Sequence, residues 1–139
     1  VNPETSSESL IALFSKLVLV PGTSRDEKRV AAWVRQHLAN HPFDIAEDAC
    51  GEVIGGNTGN LIIKPRHFDP NRPVQVYLAH MDTVRNTSGI QVVRRDGRLT
   101  SDGSCQIGAD NRAGMATLLH MLENHAEWER LGVNYMVVF

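Results

Sequence analysis

His80 and Asp82 stand two apart in the stretch YLAHMDTV, where a run of apolar residues ends. Side chains two apart on extended backbone point the same way, so this imidazole and this carboxylate can share a face. A carboxylate beside an imidazole can accept its Nδ1–H, which leaves Nε2 free to bind a metal. The same pair could equally be a satisfied polar contact at a strand end, and His-x-Asp alone does not separate the two readings. Downstream, IGADNRAG places Asp110 at the mouth of a helix, between Gly108 and Gly114. An aspartate there can cap the helix. It also has two oxygens, enough to bridge two cations about 3.5–4 Å apart. The two segments together suggest an acid-oriented histidine at a strand end meeting a loop carboxylate over a sheet.

Other reactive side chains fit that picture less well. His120 and His125 are spaced to lie on different faces of a helix, which argues against a shared metal. His37, His41 and His67 fall near helix ends or connectors and are expected at the surface. Cys105 is expected as a small buried residue, since nothing near it marks a reactive thiol. The glycine-rich stretch 51–59, GEVIGGNTG, lacks the P-loop spacing and leads into a strand, so it reads as a loop and not a phosphate cradle.

The elements that must position these groups follow from periodicity. Leu10, Leu13, Phe14, Leu17 and Val18 repeat at helical spacing, predicting a helix over 6–20 that VPGTS ends. Ser24 and Glu27 read as a capping box opening a second helix over 25–37, with Val30, Trp33, Val34 and Leu38 inward. NLIIK is a short strand. VQVYLA is read as a strand covered on both faces. IQVVRR-DG-RLTSDG is a hairpin turning on Asp96-Gly97. Residues 109–132 form one long helix stopped by Gly132, and VNYMVVF is a buried-type strand. The order gives an α/β fold, a sandwich with a mixed sheet between helical layers.

The bulk composition excludes several classes. With 139 residues the chain suits one domain with a real core. Fourteen basic against 16 acidic residues give a net charge of −2 with no basic cluster, which argues against nucleic acid or an anionic membrane as partner. Two cysteines without a C-x-x-C spacing fit a reducing cytoplasm, and no apolar run approaches the ~20 residues that span a bilayer.

AHMDTV, then the hairpin DGRLTSDG, then IGADNRAG resembles the dinuclear zinc exopeptidases, which include peptidase T, glutamate carboxypeptidase and the aminoacylases. ADNRAG is most similar to the peptidase T-like branch. LVLVPGTSRDEKRVAAWVRQHL and GNLIIK also match that family's opening, so the resemblance runs from about Leu10 to Phe139. It implies a three-layer αβα fold with a mainly parallel mixed sheet. It also implies that His80 ligates one zinc, that Asp82 orients the imidazole without touching metal, and that Asp110 bridges two zinc ions, aimed by a cis peptide to Asn111. Cobalt or manganese could replace zinc. The implied substrate is a small peptide, cleaved by a tripeptide-type aminopeptidase; N-acyl amino acid hydrolysis and glutamate carboxypeptidase activity are alternatives within the family.

The family's glutamate pair, one glutamate a general base and the other a ligand, follows the next strand. Here that strand is VNYMVVF, and Glu123, Glu127 and Glu129 read as a solvated helix face. The expectation is therefore that residues 1–139 are the N-terminal portion of a longer zinc-peptidase domain, inactive alone. A competing expectation is a non-catalytic module that uses an edge at its last strand to bind a partner or to form a homo-oligomer.

Overall fold

The computed structural model describes residues 3–139. Helix α1 (Pro3–Leu17) starts before Ser6, with proline in the first turn, where a missing N–H costs nothing. It stops short of Val20, because Pro21 disfavours helical backbone in the residue before it. Helix α2 (Lys28–His37) buries Val30 and Val34, with Leu38 just beyond, as its pattern predicts. Trp33 is only half-buried and stacks on His37 at 4.9 Å. The capping box does not form: Glu27 Oε1 accepts the Arg25 N–H at 2.8 Å, while the Ser24 hydroxyl goes to Asp82.

Strand β1 (Phe43–Glu47) was not predicted, although Phe43 and Ile45 alternate with polar or small neighbours and pack on the core. The glycine-rich stretch is part helix: α3 (Cys50–Ile54) makes one turn and ends on Gly55. Its glycines answer to backbone crowding, since a Cβ on Gly59 would lie 1.9 Å from the Asp48 carbonyl oxygen and one on Gly51 2.0 Å from that of Thr58.

Strands β2 (Leu61–Pro65), β3 (Gln75–Leu78) and β6 (Tyr135–Val138) complete a mixed sheet in the order β1-β2-β6-β3. The β1–β2 and β2–β6 pairs are antiparallel, and β3–β6 is parallel. VNYMVVF is thus central, with Tyr135, Val137 and Phe139 buried. VQVYLA is instead an edge strand, with Val76 46% and Leu78 69% exposed. The open edge expected at the last strand is therefore at β3. Leu61, Ile63, Tyr135 and Val137 face a single core shared with α1, α2 and α4. Ile62, Met136 and Val138 alternate to the opposite face, outside that core. Among the described residues α1, α2 and α4 pack on the face of the sheet that carries Leu61, Ile63, Tyr135 and Val137.

The hairpin of β4 (Val92–Arg95) and β5 (Arg98–Ser101) forms a separate two-stranded sheet, turning on Asp96 and Gly97 at φ 50° and 73°. The long helix predicted over 109–132 is two, α4 (Ala109–Glu123) and α5 (His125–Arg130). They part at Asn124, whose side-chain amide donates to the His120 carbonyl at 2.8 Å and competes with the helix's own bonding. Among the described residues no helix is long and apolar enough to cross a membrane.

Candidate metal centre

Beyond β3 the chain keeps its alternation. The Ala79 N–H donates to the Val138 carbonyl at 3.2 Å, the last rung before the site. Ala79, Met81 and Thr83 turn into the protein, so His80 and Asp82 turn out together. His80 Nδ1 lies 2.8 Å from Asp82 Oδ1, and His80 Nε2 lies 3.0 Å from Asp110 Oδ1. The structure thus brings His80, Asp82 and Asp110 into one chain of contacts, with the imidazole in the middle. Asp110 does not cap the helix, since its carboxylate turns to His80 and no side-chain cap bond forms; its backbone (φ −92°, ψ 106°) is non-helical, the peptide to Asn111 is cis, and its side chain is 95% exposed. Gly114 leaves room for Asn111, whose Oδ1 would sit 2.1 Å from an added Cβ.

The charges reinforce this arrangement. Partial burial opposes the charged imidazolium, but the Asp110 hydrogen bond and the charge and hydrogen bond of Asp82 outweigh it and raise the His80 pKa. The Ser24 hydroxyl lowers the Asp82 pKa most, burial works against that, and His80 lowers it further. Behind them lies fully buried Arg112, its guanidinium pushed down to about 10 by burial despite the charge of Asp82. It donates to the Leu17 and Val20 carbonyls at 3.3 and 3.1 Å, just past α1.

His80 separates two clefts. One of about 140 Å³ is lined by Asp82, Glu27, Cys50, Thr58 and Asn60, and the other of about 380 Å³ by Leu78, Asn111 and Phe139. Zinc binds imidazole nitrogen and carboxylate oxygen at about 2.0–2.2 Å, so two ligands of one tetrahedral ion stand about 3.3 Å apart. The 3.0 Å between His80 Nε2 and Asp110 Oδ1 is close to that spacing, and the donor types fit. The donor number is short. Among the described residues no three His, Cys, Asp or Glu side chains gather to hold an ion.

The remaining candidates lie elsewhere. Glu123 is not on a solvated face: it is half-buried, with Oε1 2.9 Å from His37 Nε2 and Oε2 3.5 Å from His120 Nδ1. His120 also meets the Ser6 hydroxyl at 2.9 Å, whereas His125 packs edge-on against His41 and Phe43. His37, His41 and His67 are half-buried and engaged, against the surface expectation. Glu127 pairs with Arg130 and Glu129 with His67. Cys105 is half-buried, packs against the core and is unpaired, as is exposed Cys50. Sequence reasoning missed Ser24, whose separation of 58 positions from Asp82 leaves no spacing signal, and Arg112, which sat unassigned inside ADNRAG.

No protein-family model matches the chain. An uncharacterized protein, YqjE, from Bacillus subtilis is 25% identical over 118 residues, covering 85% of this chain and 32% of YqjE. The aminopeptidase PepT of Bacillus cereus superposes with a TM-score of 0.80 at 26% identity, over 95% of this chain and 35% of PepT. A tripeptidase from Staphylococcus aureus gives a TM-score of 0.78 at 24% identity, over 94% of this chain and 35% of its own, a likeness of fold. The chain spans about a third of the length of each. Its mixed α/β fold is therefore that of part of a peptidase T-like domain, similar to about one third of these peptidases.

Proposed function

We propose that the chain carries the first half of the centre of a metal-dependent exopeptidase acting on small peptides. His80 Nε2 and Asp110 are the metal ligands, and Asp82 holds the imidazole with its lone pair toward the ion. The observation that carries this reading is the His80 ring, held at Nδ1 by Asp82 while Nε2 faces Asp110 at 3.0 Å. Likeness to an aminopeptidase and a tripeptidase supports tripeptide-type aminopeptidase activity as the first choice of reaction. A divalent ion there, zinc first and cobalt or manganese next, would polarise a peptide carbonyl and acidify a water. Asp82 keeps the Nδ1 proton away from the ligand position, and Asp110 offers a second oxygen to a second ion. Full activity needs further donors and a general base beyond these residues. The two free thiols suit a reducing cytoplasm.

The test is metal titration of the purified chain beside His80→Ala. Weak binding of zinc or cobalt that disappears in the variant supports the assignment; unchanged metal content in the variant removes His80 from the site.

A second reading, a non-catalytic module that binds through its sheet edge, is favoured by the exposure of Val76 and Leu78 on β3. Sedimentation of the wild type and Leu78→Lys decides it: association that the substitution abolishes supports the edge, and a monomeric wild type counts against it.

A further inference from the structure

Asp82 divides its carboxylate between two partners, His80 on Oδ1 and the Ser24 hydroxyl on Oδ2. An aspartate held at one oxygen alone can swing, because its terminal torsion has a broad minimum. Held at both, its plane is set, and so is the direction from which it receives the imidazole N–H.

The segment that delivers Ser24 is fastened at several points. Arg112 takes the Leu17 and Val20 carbonyls. The Gly22 carbonyl accepts both the Thr83 N–H at 2.9 Å and the Thr83 hydroxyl at 3.2 Å, and Thr23 bridges to Thr83 in parallel. The Asn57 N–H donates to the Arg25 carbonyl at 3.1 Å. Arg25 itself turns the chain with φ at 72°. The connector between α1 and α2 therefore runs beside residues 82–83 as if it were one more strand, and Ser24 is its reach into the site.

A neutral imidazole has one N–H for two flanking carboxylates. Asp82 is the more enclosed, 28% exposed against 95% for Asp110, and only Asp82 has the serine behind it. That asymmetry favours the proton on Nδ1, the tautomer that leaves Nε2 free for an ion beside Asp110. We propose that Ser24 is a positioning residue of the centre: its hydroxyl locks the Asp82 carboxylate and thereby fixes the tautomer and aim of His80, with Arg112 anchoring the connector that carries it. The consequence for metal affinity rests on the function proposed above, whereas the tautomer does not.

The experiment uses the whole metal-free chain at about pH 9, where imidazole is neutral. Long-range proton–nitrogen spectra of the His80 ring give the tautomer, and calorimetric titration with cobalt(II) gives affinity. Wild type and Ser24→Thr are expected to hold a single Nδ1–H tautomer. Ser24→Ala is expected to show a mixture with Nε2–H and to bind cobalt about tenfold more weakly, the scale set by loss of an outer hydrogen bond. A folded Ser24→Ala protein with the wild-type tautomer overturns the proposal, as does Ser24→Thr behaving like alanine. A wild type that takes no cobalt, with the tautomer still shifting in Ser24→Ala, overturns the metal centre and supports the positioning role.

Discussion

Replacing Arg112 by methionine sets two opposed quantities against each other. Burial lowers the guanidinium pKa from its ordinary value to about 10. At ~1.4 kcal/mol per tenfold this is about 3 kcal/mol working against the cation. Methionine, a flexible side chain that fills irregular gaps, escapes that opposition. What is lost is two hydrogen bonds from a charged donor to the Leu17 and Val20 carbonyls, about 1.5–3 kcal/mol each. The Arg112 Nε makes no hydrogen bond, so nothing is lost there. The balance is a destabilisation of about 0–3 kcal/mol. Arg112→Ala also empties a site with no solvent exposure and should cost about 2–3 kcal/mol more. Urea unfolding followed by circular dichroism measures both, with an unchanged slope as the sign that the unfolded state is not altered. Methionine costing more than about 4 kcal/mol, or as much as alanine, would refute the balance and show that the cation itself is required.

Gly59→Ala should destabilise by more than about 2 kcal/mol in the same assay, because its Cβ would meet the Asp48 carbonyl oxygen at 1.9 Å and backbone must move. Glu47 has its pKa lowered first by the Gly59 N–H, then by the Thr58 hydroxyl, with burial opposing and Arg35 assisting. A lowered folded-state pKa gives stability that is present above the unfolded value of about 4.5 and lost as pH falls through the folded value. Glu47→Gln should therefore flatten the acid limb of the urea midpoint against pH, by less than ~1 kcal/mol for so exposed a group, and leave the slope above pH ~6 unchanged. The 139-residue chain with added zinc should not hydrolyse a tripeptide; turnover that His80→Ala abolishes would show that the chain's own donors suffice.

The local parts of the fold were legible because local physics decides them. Asp96-Gly97 makes a turn by its own backbone preference, and α2 declares its face through Val30, Val34 and Leu38. Apolar texture, by contrast, cannot tell a central strand from an edge one. VQVYLA and VNYMVVF look alike, and only the sheet decides that Val137 is in the core while Leu78, opposite Val138 on the other face of an edge strand, is not. Ser24 has the spacing of a helix cap, yet Arg25 turns the chain at φ 72° and α2 opens only at Lys28, which leaves the serine reaching to Asp82 instead. The His80–Asp82 contact could be read from alternation. Its meeting with Asp110 required the sheet and the non-helical start of α4, which spacing alone does not encode.

The place of β6 in the sheet also sets a timetable. Strands β2 and β3 do not pair with each other; β6 lies between them, with Val138 opposite both Ile62 and Leu78. A chain emerging from the ribosome can close the β1–β2 pair early, since the two strands are near neighbours in sequence. It cannot seat β3 until β6 arrives. His80 stands one residue beyond the rung from Ala79 to Val138, so β6 aims a ring that the chain already carries. Until then a nascent chain holds His80, Asp82 and Asp110 without the geometry that brings them together.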